Sequence, residues 1–187
     1  FEYSRRRIAD LSRVLAEYKK AGVVVDMYVS PSHARQMEAI YALGLGHDYE
    51  IWLADIAVVA RDNGAKLVDF SGFNSITTEP VPPIGSTVEM RWYWESSHFR
   101  RETGELILKR LSEISDTTSR NHARDASDFG RPLVATTVLL NVAALHEGRQ
   151  RYAREQPQEV ADVVNLVRQT AVRRAQLRAA AGQAIRD

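Results

Sequence analysis

A carboxylate and a histidine lie three positions apart in the segment Glu95-Ser96-Ser97-His98. A histidine acts as a general base when a carboxylate binds one ring nitrogen and fixes the tautomer, while the other nitrogen takes a proton from a serine. The spacing therefore predicts a hydrogen bond of about 2.6–3.2 Å between Glu95 and His98, the arrangement that a catalytic histidine needs. The alternative interpretation is a polar helix start, in which a serine caps the helix and the helix dipole favours Glu95.

Two further polar residues follow predicted strands. His33 comes after the run 23–29, and Asn74 lies in the loop after a second predicted strand, 65–70. Ligands bind at the carboxyl ends of strands in open α/β sheets, so we predict that both residues bind substrate, His33 at an oxyanion or other substrate atom and Asn74 through its amide. The alternatives are a polar residue that opens a helix, for His33, and an ordinary loop residue, for Asn74.

Metal ligands are scarce in this sequence. It has no cysteine, which excludes disulfides and thiolate metal sites. His47, His122 and His146 have no other histidine or carboxylate at ligand spacing except the adjacent Asp48 and Glu147. We therefore predict no metal and no cofactor.

The first 114 residues alternate between helical and extended patterns. Apolar residues recur at helical spacing from Ile8 to Tyr18, the β-branched run 23–29 predicts a strand, two helical patterns follow, and 65–70 predicts a second strand. This alternation predicts an α/β fold with a partial open parallel sheet of flavodoxin-like type and helices on its faces. A loop rich in proline, glycine and serine follows at 71–86, and a further helix is predicted to begin near Ser97.

The C-terminal part has a different pattern. Residues 115–131 are polar and irregular, and prolines at 132 and 157 each precede an apolar stripe at helical spacing. We therefore divide the chain into an α/β domain over 1–114, a linker over 115–131 and a helical hairpin or arm over 132–187. Because two helices alone leave apolar flanks exposed, the arm is expected to contact a protein partner or a second copy of the chain.

Charge and hydropathy exclude some function classes. Lys and Arg number 25 against 24 Asp and Glu, so no strong field favours nucleic acid. No apolar run approaches the roughly 18 residues of a membrane span. The sequence begins at Phe1, already within a helical pattern, so we expect that an N-terminal part is missing and that any membrane contact is made by an anchor there.

Several segments together resemble a known family. The segments "MYVSPSHA", "VDFSGFNSITTEPVP", "YWESSHF" and "DFG", within residues 11–130, resemble SGNH (GDSL-type) hydrolases. More narrowly, they are similar to bacterial SGNH-like proteins of cell-envelope and exopolysaccharide gene neighbourhoods, relatives of periplasmic polysaccharide O-acetyltransferases.

The resemblance implies a function in the bacterial periplasm or cell envelope. By this resemblance, the chain is the C-terminal portion of an esterase or O-acetyltransferase that acts on acyl esters of polysaccharides. His98 is then the general base, and Glu95 orients its ring. The family's nucleophile lies in a Gly-Asp-Ser or Gly-Thr-Ser turn, and this sequence has no such turn, so the serine is expected from the missing N-terminal part. The alternative function is a non-catalytic structural or accessory subunit that docks to a larger complex through its helical arm.

Overall fold

The computed structural model describes residues 3–83, 85–115 and 128–184. These residues form six helices and five short strands. The helices are α1 (Arg5–Lys20), α2 (Ala34–Ala42), α3 (Gly46–Asn63), α4 (Arg101–Ser115), α5 (Val138–Glu155) and α6 (Pro157–Ala184). The strands are β1 (Asp26–Val29), β2 (Lys66–Asp69), β3 (Tyr93–Glu95), β4 (His98–Phe99) and β5 (Arg131–Pro132).

Local sequence signals explain some helix boundaries. α3 ends at Asn63, and the next residue, Gly64, has a φ of 70°, the left-handed conformation that favours glycine after a helix. Two predicted starts are wrong. α4 begins at Arg101 rather than near Ser97, because His98 and Phe99 pair with β3 as β4. α5 begins at Val138 rather than at Pro132, because Pro132 belongs to β5 and pairs with Val68.

The larger sheet corrects the predicted fold class. Its order is β1-β2-β5, with β1 parallel to β2 and β5 antiparallel to β2, and each parallel strand has only four residues. The described part of the chain is mostly helical, so the prediction of a partial open parallel sheet of flavodoxin-like type is wrong. The valine run placed the predicted start of the first strand at residue 23, three residues before β1 begins, because β propensity depends on packing against neighbouring side chains. Val23 and Val24 lie outside β1, with 49% and 84% of their surface exposed.

The two faces of β2 lead into two apolar cores. Successive strand residues point to opposite faces, so Leu67 packs with residues of α2, α3 and α5, whereas Val68 packs with Phe70, Tyr93 and Ile107. The second core therefore connects β2 to α4 and to the β3–β4 hairpin.

The C-terminal helices contribute to the first core. Leu145 and Tyr152 of α5 are buried in it, and α6 packs along α2 with Val163 buried. Farther along α6, Leu166 and Val172 are exposed. None of the described helices has the length and apolar character needed to cross a membrane. Most of the predicted linker, residues 116–127, lies outside the described residues.

Candidate functional site

Glu95 and His98 face each other across a tight hairpin. β3 and β4 are antiparallel and joined by Ser96 and Ser97, so that Glu95 and His98 are directly paired in the register. Opposed residues of antiparallel strands point to the same face. The Glu95 Oε1 atom is in hydrogen-bond contact with His98 Nδ1, which confirms the predicted contact. The side chains are 52% and 79% exposed.

Ser97 holds the Glu95 carboxylate in place. Its backbone N–H donates to Oε2 at 3.0 Å, and its hydroxyl donates to Oε1 at 2.8 Å. These two bonds, followed by the contact with His98, lower the pKa of Glu95 to about 2. Because Glu95 is then ionised at neutral pH, it accepts the shared bond, so His98 Nδ1 is the donor and, in the neutral imidazole, the lone pair resides on Nε2. Among the described residues, none makes a hydrogen bond with Nε2.

Buried residues anchor this exposed hairpin to the body. Tyr93 is 1% exposed, and its hydroxyl donates to the Pro31 carbonyl oxygen at 2.8 Å. Burial raises the pKa of Tyr93, which therefore stays a protonated donor at neutral pH. At the tip, the Ser96 carbonyl accepts from the backbone N–H of His33 at 3.0 Å. The base of the hairpin and its tip are thus both tied to the segment that precedes α2.

His33 supports the hairpin from inside the protein. The residue is 1% exposed, and its Nδ1 accepts from the Arg35 backbone N–H at 3.2 Å, which caps α2. Nδ1 is therefore unprotonated and Nε2 is the donor to the Glu79 carbonyl oxygen, 2.7 Å away. The ring also meets Tyr93 edge to face, with the centroids 5.1 Å apart. Both ring nitrogens are occupied, so this arrangement leaves neither for a substrate and matches the helix-opening interpretation.

The neutral state of His33 predicts a pH-dependent stability. Burial lowers the pKa of His33 in the folded chain. As the pH falls, the unfolded chain therefore takes up a proton at the ordinary histidine pKa of about 6.5, whereas the folded chain does so only at a lower pH. The contribution of His33 to stability is therefore fully present above that pH. It falls, by up to about 1.4 kcal/mol per pH unit, as the pH drops toward the pKa of His33 in the folded protein.

We expect His33→Asn to remove this pH dependence, because asparagine keeps a capping acceptor but does not titrate. Urea unfolding at pH 8 and pH 5 checks the result. Equal losses of stability in the wild type and the variant between these pH values would contradict the assignment.

Asn74 has a structural role in its loop. Its Oδ1 accepts from the backbone N–H groups of Ile76 and Thr77 at 3.1 and 3.0 Å, and its Nδ2 donates to the carbonyls of Phe70 and Ser71 at 3.3 and 3.4 Å. The side chain is buried and lines a cavity of about 30 Å³, together with Asp69. The structure does not bring Asn74 to the surface beside Glu95 and His98.

An open cleft of about 680 Å³ lies beside the hairpin. One wall consists of the loop before β3 and the hairpin, including Pro82, Pro83, Trp94 and Glu95. The other wall consists of the first turns of α6. His33 also lines the cleft. A volume of this size is typical of a small-molecule site. Glu95 thus belongs both to the Glu95–His98 dyad and to the wall of the cleft.

Sequence reasoning missed a second cluster of charged residues. Glu38 of α2 is fully buried and accepts two hydrogen bonds from the Arg149 guanidinium, at 2.8 and 3.0 Å. Nearby, His146 Nε2 lies 2.6 Å from Glu50 Oε1, and both residues line a cavity of about 320 Å³. The members of these pairs lie 111 and 96 positions apart, so no local spacing connects them.

Neither cluster resembles a metal centre. Within the described ranges, no three His, Asp or Glu side chains are grouped so that they could hold a metal ion. His122 lies outside those ranges.

No family model, curated protein or solved structure matches this chain.

Proposed function

We propose that this chain supplies the general-base part of an esterase or acyltransferase site, as the resemblance to SGNH hydrolases implies. The observation that carries the proposal is the contact of the Glu95 carboxylate with His98 Nδ1, which leaves Nε2 free to accept a proton. In an acyl transfer, Nε2 takes the proton of a serine hydroxyl as its oxygen attacks the ester carbonyl, and then returns it to the leaving alcohol. Glu95 stabilises the imidazolium that forms between these steps.

The nucleophile in this proposal comes from another polypeptide segment. Ser97 is next to His98, but its hydroxyl is on the Nδ1 side, 3.2 Å from that nitrogen, and donates to Glu95. A nucleophilic serine must instead reach Nε2. The high exposure of His98 supports this arrangement, because a segment that carries the serine has room to cover the hairpin. Polysaccharide acyl esters in the bacterial envelope are the proposed substrates and setting.

The isolated chain is therefore expected to be nearly inactive as an esterase. Its His98-dependent hydrolysis of p-nitrophenyl acetate should not exceed that of an equal concentration of imidazole, since no serine among the described residues makes a hydrogen bond with Nε2. Initial rates of the wild type and His98→Ala give the difference. Fast turnover that His98→Ala abolishes would place the nucleophile within these 187 residues.

The proposal itself is tested in the source organism, with substitutions introduced in the chromosome and the acetyl ester content of surface polysaccharide measured. We expect His98→Ala to reproduce the deletion phenotype. Glu95→Gln, which favours the wrong tautomer, should lower the acyl-transfer rate by about 10²–10⁴. Glu105→Gln is the matched control, because Glu105 is an exposed carboxylate on α4 that pairs only with Arg101 among the described residues. An unchanged ester content in the His98→Ala strain would refute the proposal.

A further inference from the structure

We infer that the cleft beside the dyad binds an amine-bearing saccharide chain, such as a glucosamine polymer, and disfavours anionic, uronate-type chains. This inference rests on the proposed function, because it names the class of polysaccharide that would bring its ester to His98. It is carried by the charge of the cleft and by one exposed indole.

The charged side chains that line the cleft are mostly acidic. Glu95, Glu159 and Asp162 contribute three carboxylates, and Arg35 is the one cation among the described lining residues. Arg35 forms an ion pair with Glu159, so that two negative charges are left at Glu95 and Asp162. His33 adds no charge, since burial keeps it neutral.

The cation over Trp94 is already engaged. Arg100 lies over the Trp94 ring, with its guanidinium carbon 3.9 Å from the centroid, and is paired with Glu89 at 2.6 Å. Among the described residues, neither Glu95 nor Asp162 is paired with a lysine or an arginine. A carboxylate-bearing ligand would therefore be repelled by both negative charges, whereas an ammonium group would be attracted by both. The cleft is complementary to a cationic ligand.

The apolar part of the cleft suits a sugar ring. Trp94 is 67% exposed although Arg100 covers part of it, and Pro82 and Pro83 continue the apolar surface. An indole offers a large flat apolar surface, against which the C–H face of a pyranose can pack. Glu95, Asp162 and Gln158 supply acceptors for the ring hydroxyls and the amine. A basic peptide would meet the same charges, but the indole beside these acceptors favours the saccharide.

The test is calorimetric titration of the chain, at low ionic strength, with hexamers of glucosamine, N-acetylglucosamine and galacturonate. We expect glucosamine hexamer to bind most tightly, N-acetylglucosamine hexamer more weakly, and galacturonate hexamer not measurably. Added salt should weaken the glucosamine complex. Asp162→Asn should weaken it about two- to fivefold, since one exposed charge is lost. Trp94→Ala should weaken both amino-sugar complexes. Asp10→Asn is the matched charge control, because Asp10 lies on α1 and does not line the cleft, and it should change neither complex.

Three outcomes would overturn the inference: galacturonate binding as tightly as glucosamine, no binding of any amino sugar, or hexalysine binding equally well with no effect of Trp94→Ala. The third outcome would identify a basic peptide as the ligand class. Failure of the proposed function can be distinguished from failure of this inference, because His98→Ala removes the proposed base and leaves the charges of the cleft in place. A variant that binds glucosamine hexamer normally, in a strain whose ester content is unchanged, would refute the catalytic proposal and leave the binding inference standing.

Discussion

Replacing Arg149 with methionine should lower the free energy of unfolding by about 3–5 kcal/mol, because it leaves a buried carboxylate without its partner. Glu38 is 0% exposed, and Arg149 supplies two hydrogen bonds to its two oxygens. The guanidinium also stacks on Tyr41, 4.2 Å from the ring centroid, and that contact is lost as well. Methionine retains much of the side-chain length, so the loss reports mainly on the charge and its hydrogen bonds. Urea unfolding at pH 7 measures it.

The double variant Glu38→Met/Arg149→Met is the control for this prediction. Replacing a buried ion pair by apolar residues of similar volume is often close to neutral, so the double variant should recover most of the stability that Arg149→Met loses. Arg149→Lys should fall between the wild type and Arg149→Met, because an ammonium keeps the charge but not the bidentate geometry. A loss below about 1 kcal/mol for Arg149→Met would show that Glu38 finds other partners or water.

The sequence predicted the contact between Glu95 and His98 because that contact is local. Two residues that flank a two-residue hairpin loop are brought together wherever that hairpin forms. The prediction treated the segment as a loop before a helix, but the carboxylate-x-x-histidine spacing produces the same contact in a hairpin.

Residues whose partners are distant in sequence were harder to predict. His33 donates a hydrogen bond to the carbonyl of Glu79, which lies 46 positions away in the sequence. This bond and the burial of the ring make His33 unavailable to a substrate, although the sequence had predicted that it binds one. Glu38 and Arg149 gave no signal, since each lies on a helix where charged residues are ordinary. The fold class was wrong for a related reason: strand propensity is local, whereas the number of strands that pair depends on contacts across the chain.

Replacing Tyr93 with alanine should lower the free energy of unfolding by about 3–5 kcal/mol and loosen the dyad. The hairpin has three residues in β3 and two in β4, and a hairpin of this size is not stable without support. Tyr93 is its most buried residue and packs with Val68 and Phe70 of the second core. Without this side chain, the tip keeps the bond from His33 to Ser96 but loses its apolar anchor.

The effect on the dyad is separable from the effect on stability. Under conditions where Tyr93→Ala is still folded, ¹⁵N NMR of the His98 ring should show a mixture of tautomers, whereas the wild type should have its proton on Nδ1, held by Glu95. Tyr93→Phe keeps the ring and loses only the hydroxyl that donates to Pro31, so it should cost about 1–3 kcal/mol and leave the His98 tautomer unchanged. If Tyr93→Ala kept the wild-type tautomer, Ser97 and Glu95 would hold His98 in position without the buried anchor, and the dyad would be a property of the four-residue turn alone.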